Sequence, residues 1–220
     1  MIQARWHLDN DWYPVGIPAN VVRGPDVYLD TSYAFAGFHS QSSPGLTLGD
    51  AAGVYDRTNF NVGPKGQVSV GAYTCLNATT LICNDRITIG AHCLLAWGVV
   101  LTDTWPSRDV PMSVRRKALL AAAGQPLRLL PPVSPPRPVI IEDNVWVGFD
   151  SVIMPGVTLG RGCIVGCKTV VAKDVPPYAV VVGSPPRIIR TLDAEDTAAA
   201  ACRAFDHCVR REPGTGAPPT

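Results

Sequence analysis

Six consecutive hexads between Ile141 and Pro176 constrain this chain more than any other feature. They read IEDNVW, VGFDSV, IMPGVT, LGRGCI, VGCKTV and VAKDVP. The first position is always aliphatic: Ile141, Val147, Ile153, Leu159, Val165, Val171. The fifth is small or β-branched: Val145, Ser151, Val157, Cys163, Thr169, Val175. A strand alternates with a period of 2 and a helix repeats near 3.6, so a period of six fits neither. It fits a short strand that points one aliphatic residue inward and is followed by a turn. Three such sides close a triangular coil of 18 residues. A single coil cannot bury its own aliphatic column, whereas stacked coils can.

The same spacing runs upstream with interruptions. Leu48, Val54 and Phe60 are six apart, as are Val70, Leu76 and Ile82, and then Ile89, Leu95 and Leu101. Ile17, Leu29 and Phe35 fit a first coil in which Arg23 is the misfit. Phase breaks at 35–48, 60–70 and 82–89 read as loops or bulges. Between Leu101 and Ile141 the period vanishes. There SVRRKALLAAAG predicts a short helix with a glycine stop, and LRLLPPVSPPRP an extended Pro-rich stretch. A long loop in a compact array usually carries function. The chain thus divides into an N-terminal segment 1–16, a β-helix domain 17–190 with an excursion loop 102–138, a C-terminal helix 191–211 and a disordered tail 212–220. The expected fold is all-β: a left-handed parallel β-helix of hexapeptide repeats with a long excursion loop and a short C-terminal helix.

Composition narrows the function classes. Of 220 residues 46% are hydrophobic and 17% charged, with a net charge of +1, which suits a packed core and leaves no electrostatic footprint for nucleic acid. No apolar run approaches the ~18 residues of a membrane span, and the acidic start MIQARWHLDNDWYP does not read as a signal peptide. None of the seven cysteines forms a CxxC pair, so they read as reduced, small apolar residues of a cytoplasmic protein without a metal site.

The stretch VIIEDNVWVGFDSVIMPGVTLGRGCIVGCKTVVAKDVPPYAVVVGSPPRIIR resembles the hexapeptide-repeat acyltransferases, in particular the galactoside, maltose, xenobiotic and cell-surface-sugar O-acetyltransferases. The resemblance is weak before Val68 and strong after it. It implies a homotrimer, with acetyl-CoA or another acyl-CoA as co-substrate in a groove between subunits along the C-terminal coils. It also implies a histidine, on the loop leaving a middle coil, that acts as general base on the hydroxyl or amine of a small-molecule acceptor. The sequence departs from the family at that histidine. Where the branch carries T-x-x-H-P, this chain has Thr102, Asp103, Thr104, Trp105 and Pro106, and an indole N–H is a donor only.

Two readings follow. The first is an acyl-CoA-dependent transferase with a replacement base. His39, on a segment free of the hexad constraint, ranks ahead of His92, which occupies a turn place in IGAHCL, and Asp103 could orient the base or bind an acceptor hydroxyl, although an Asp at a loop start often only caps a turn. His7 and His207 are terminal. Asn77 and Trp146 match acceptor-site and groove positions of the family, Asn77 being equally readable as a turn-stabilising amide, while Trp97 could floor a sugar site or pack against a neighbouring subunit and Trp105 could wall the acceptor pocket. Ser151 and Gly166 would approach the pantetheine arm, and Lys173 and Arg187 the nucleotide phosphates. The second reading is a catalytically silent or repurposed trimer that binds a small ligand. A γ-carbonic-anhydrase-like hydratase shares the fold but needs three converging histidines, which the four scattered ones do not supply.

Overall fold

The computed structural model of the chain describes residues 5–106, 110–125 and 134–193. Short strands recur in the order first face, second face, third face, and each face is a parallel sheet of strands drawn from successive coils. The first face stacks Val21–Arg23, Leu46–Leu48, Gln67–Val70, Arg86–Ile89, Val139–Ile141 and Thr158–Leu159. The second stacks Tyr28–Leu29, Gly53–Tyr55, Cys75–Asn77, Leu94–Leu95, Trp146–Val147, Ile164–Val165 and Ala179–Val182. The third stacks Asn59–Val62, Thr80–Cys83, Val100–Thr102, Val152–Ile153 and Val170–Val171. The result is a three-sided parallel β-helix with one core running along its axis.

That core is the hexad pattern made physical. Leu48, Val70, Ile89, Ile141 and Leu159 line the first face, Val54, Leu76, Leu95, Val147 and Val165 the second, and Phe60, Leu101, Ile153 and Val171 the third, all buried. Each such side chain contributes about 1.5–3 kcal/mol by leaving water. Hydroxyls at the fifth hexad position serve the backbone of the next coil. Thr58 Oγ1 donates to the Leu76 carbonyl (3.1 Å), Thr74 Oγ1 to Gly90 (2.7 Å) and Ser151 Oγ to Gly166 (2.9 Å).

Tight corners require left-handed backbone. The edge between first and second faces turns at Asp26, Ala51, Tyr73, His92, Asn144, Gly162 and Tyr178, all with φ between 52° and 65°. The edge between second and third faces turns at Asp56, Ala78, Gly98, Asp150 and Lys168, with φ between 42° and 77°. Such angles disfavour residues with a Cβ. Each turn is held by its neighbour: Tyr73 N–H donates to the Asp50 carbonyl, His92 N–H to Ala72 and Lys168 N–H to Phe149, at 2.7–2.9 Å.

Several expectations are corrected in detail. Leu81, not Ile82, points inward, because the strand Thr80–Cys83 buries Leu81 and Cys83 and turns Ile82 outward. Arg23 is exposed at a strand end, and Val21 fills the core two residues earlier. The 35–48 break begins as a 3-10 turn, Ser32–Phe35, capped by Thr31. Arg5–Trp6 of the N-terminal segment pairs antiparallel with Ile17–Pro18, at the start of the expected β-helix domain. The excursion holds the helix Met112–Ala123, but Gly124 ends it at φ −89° rather than in the left-handed region a glycine stop would use. Arg187–Thr191 is a strand, antiparallel to Ala179–Val182, so the helix expected over 191–211 does not begin at Thr191; its remainder past 193 and the tail 212–220 lie outside the described residues.

Candidate functional site

One coil, 86–103, carries most of the chemistry. It places His92 on the first edge, Trp97 on the second and Asp103 on the third, the edge from which the excursion leaves. Three residues that the sequence grouped are thus at one height but on three different edges.

At the third edge the Asp103 carboxylate is fully buried. It accepts backbone N–H groups of the preceding coil's turn: Asn84 at 2.9 Å, Asp85 at 2.7 Å and Arg86 at 3.0 Å. Burial pushes its carboxyl up from the ordinary value, against the pull of the Asp85 and Asn84 donors. Its carbonyl accepts Arg137 N–H at 2.7 Å, which ties the two ends of the excursion together. Above it Thr102 Oγ1 donates to the Thr104 carbonyl, and Thr104 Oγ1 donates to the Ser134 carbonyl at 3.1 Å. Ser134 Oγ donates to the Trp105 carbonyl at 2.7 Å and accepts Trp105 N–H at 3.2 Å. The Trp105 backbone is therefore fixed while its indole is 54% exposed. Ser134 escaped the sequence reading because nothing local marks it; only closure of the loop brings it to Trp105.

His39 is half-buried on the same third edge, but on the first coil, where its N–H donates to the Val62 carbonyl at 2.8 Å. Three coil spacings, roughly 14 Å at the usual strand separation, lie between it and the excursion base. His92 is exposed, and its ring stacks on Tyr73 with centroids 5.1 Å apart and planes 10° from parallel. Neither imidazole is brought to Asp103 within one chain.

The second edge is aromatic. Trp97 stacks on Phe149 (5.4 Å, 13°), and its Nε1 donates to Asp56 Oδ2 at 2.6 Å, spanning the coil that carries Ala78. Asp56 and Phe149 were not anticipated; the partners are 41 residues apart in the first case, and only stacking unites them. Asn77 Nδ2 donates to the Leu95 carbonyl at 3.1 Å, the role of a rung-to-rung amide. Ser151 Oγ, besides donating to Gly166, accepts Thr169 N–H at 3.2 Å, and a Cβ at Gly166 would meet Val182 Cγ1 at 2.6 Å, so coil packing already employs both residues. Lys173 and Arg187 are exposed cations at the C-terminal end. Trp146 is half-buried outside the prism, packed with Leu192 against the pair Ile164 and Val180. Among the described residues no group of three His, Cys, Asp or Glu side chains converges on a metal position, and no helix is long and apolar enough to cross a membrane.

The sequence profile of the family described as bacterial transferase hexapeptide (six repeats) matches residues 138–173. Galactoside O-acetyltransferase of Escherichia coli K12 is 30% identical over 150 residues, covering 68% of this chain and 66% of that protein. A hexapeptide-repeat containing acetyltransferase from Vibrio cholerae superposes with a TM-score of 0.51 at 31% identity, over 66% of this chain and 72% of that one. A second structure of the Vibrio protein is complexed with acetyl coenzyme A. Maltose O-acetyltransferase from Clostridium difficile superposes with a TM-score of 0.54 at 26% identity, over 68% of this chain and 71% of that one. The alignments with the first curated relatives span two thirds of their length or less, from 28% to 66%. Coils that obey one six-residue rule here and in these proteins lead to one conclusion: the chain belongs to the hexapeptide-repeat acyltransferase family.

Proposed function

We propose that this chain is an acyl-CoA-dependent transferase, with acetyl-CoA as the first candidate donor and a hydroxyl or amine of a sugar or small metabolite as acceptor. The observation that carries the reading is the likeness, at 30% identity and over 70% of its length, to the Vibrio cholerae acetyltransferase whose complex holds acetyl coenzyme A. Galactoside and maltose enzymes among the relatives support a sugar acceptor. In the reaction the acceptor oxygen or nitrogen attacks the thioester carbonyl, a new acyl–O or acyl–N bond forms, and the C–S bond breaks. The acceptor proton passes to a base and then to the departing CoA thiolate. Lys173 and Arg187 would take the nucleotide phosphates, and the backbone around Ser151 and Gly166 would flank the pantetheine arm. Trp146, Asn77, Trp97 and Trp105 are the acceptor-side candidates.

The reading includes a left-handed coil sense and a homotrimer, in a cytoplasmic setting where acyl-CoA is available. A trimer gives the scattered residues a meeting place. About a three-fold axis parallel to the prisms, different edges of neighbouring copies face one another at equal height. His92 of one copy could then serve the coil level that carries Trp97 and Asp103 in the next, which supports His92 over His39 as the base. Asp103, with its carboxylate bound to three N–H groups, would support the wall of the site rather than touch the proton.

The test is release of free CoA thiol from acetyl-CoA with a panel of sugars and amines, alongside sedimentation and CoA titration. Turnover that falls about 10²–10⁴-fold in His92→Ala, with CoA binding intact, is expected of a lost general base. Wild-type rates in both His92→Ala and His39→Ala exclude either as base. A monomer at micromolar concentration, or the absence of CoA binding, overturns the reading. The alternative, a catalytically silent trimer binding a small ligand, is favoured by the exposed Trp105, which stands where the family resemblance implies a histidine. Ligand binding without CoA turnover would select it.

A further inference from the structure

Four exposed aromatic rings and two carboxylates line one side of the prism, along the second face and the second edge. On the first two coils Tyr28 stacks on Tyr55 with centroids 4.9 Å apart and planes 27° from parallel. The Tyr28 hydroxyl donates to Asp30 Oδ1 at 3.2 Å. The Tyr55 ring covers Gly53, where an added Cβ would sit 2.3 Å from its Cε2 atom. Asp56, the next residue, holds the Trp97 indole, and Trp97 stacks on Phe149 of the fifth coil. All four rings are between 37% and 49% exposed. From Tyr28 to Phe149 is four coil spacings, roughly 19 Å.

Exposed stacked aromatics contribute nothing to the core, which is inside the prism. A pyranose ring presents an apolar C–H face and a rim of hydroxyls. The parts of the rings that their mutual stacking leaves exposed can cover the first, and carboxylates accept hydrogen bonds from the second. Two stacked ring pairs, with Asp30 beside the first and Asp56 between the two, span a length that suits several sugar units end to end rather than one. Asp30 and Asp56 make an uncharged chain fit better than an acidic one, even with Arg57 beside Asp56.

We propose that Tyr28, Tyr55, Asp56, Trp97 and Phe149 form an extended saccharide-binding strip, so that the acyl acceptor is a neutral oligosaccharide or glycan chain. The proposal rests on the transferase reading for the acceptor role, but binding itself can be measured without CoA. The experiment titrates the full chain calorimetrically with two series of glucose oligomers, α-1,4-linked and β-1,4-linked, from two to six units, in the absence of CoA. Affinity that rises with chain length in either series is expected. Tyr55→Ala and Trp97→Ala each weaken the longest oligomer by about tenfold, the usual scale for truncating a packed aromatic contact. Gly53→Ala, which pushes the Tyr55 ring aside without requiring a left-handed residue, weakens the longer oligomers too. Ile140→Ala, equally exposed on the first face, leaves binding unchanged. No length dependence in either series overturns the proposal. So does a change of oligomeric state in Tyr55→Ala and Trp97→Ala, which would make the strip a contact between copies. Failure of CoA to bind, measured separately, bears only on the transferase reading.

Discussion

Replacing Asp103 separates a structural role from a catalytic one. Its carboxylate is the acceptor for the N–H groups of Asn84, Asp85 and Arg86, and it is itself fully buried. Asp103→Ala leaves three donors without that acceptor. An unmet buried donor costs about 1–3 kcal/mol. The turn 84–86 is half-buried to exposed, so water reaches part of it and the low end applies. The expected loss is therefore about 3 kcal/mol, against a total stability of about 5–15 kcal/mol for an ordinary domain. With a urea m-value of about 2 kcal/mol/M the unfolding midpoint should fall by about 1.5 M. Asp103→Asn keeps one acceptor oxygen and turns an amide N–H₂ toward the donors, so it should fall between wild type and Asp103→Ala. Urea unfolding followed by circular dichroism measures both. If Asp103→Ala unfolds at the wild-type midpoint and loses only turnover, the structural argument is wrong and Asp103 acts on the reaction.

Three further outcomes follow from particular contacts. Burial works against ionisation of Asp11, but hydrogen bonds from Ser32, from Thr31 and from the amides of Ser32 and Tyr13 outweigh it and hold its carboxyl at about 2, below the ordinary 3.8. The folded value is depressed, so its contribution is present above pH 3.8 and is lost as pH falls toward 2. The near-ultraviolet dichroism of Trp12, edge-on to Tyr13 and tilted against Tyr33, should change across that window, and a flat signal refutes the assignment. Burial raises the thiols of Cys93 to about 11 and Cys163 to about 12, and pushes Cys83 higher still, so among the described cysteines iodoacetamide at neutral pH should modify exposed Cys167 and spare these three, as read by peptide mass. Phe60→Ala removes a buried ring stacked 5.5 Å from Phe35 and should cost about 3–5 kcal/mol by thermal unfolding.

The C-terminal hexads were legible because a period of six leaves one choice of inward residue per side, and Ile141 through Val171 occupy those places. Upstream the pattern was ambiguous for a physical reason. Longer strands such as Arg86–Ile89 bury two residues each, and neighbouring aliphatics compete, so Leu81 took the place that spacing gave to Ile82. At Asp103 sequence allowed either a turn cap or a catalytic partner. The cap is what forms, but on the turn one coil earlier, a relation that depends on coil length and not on local pattern. The aromatic strip was hidden for the same cause. Trp97 was visible as an odd residue, while Asp56 and Phe149 become its partners only when the insertions between coils are placed.

A stack of parallel coils has no intrinsic end, since its last rung offers the same unpaired amides and carbonyls as every rung before it. On the second face Arg187–Thr191 supplies an end by running the opposite way along Ala179–Val182. A second molecule arriving coil-first would meet an antiparallel strand, out of register with the parallel ladder it would need to extend. That strand carries Arg187 and Arg190 on a fully exposed surface, and charge on an outer strand discourages pairing further. On that face the reversal presents a polarity mismatch to any further parallel coil.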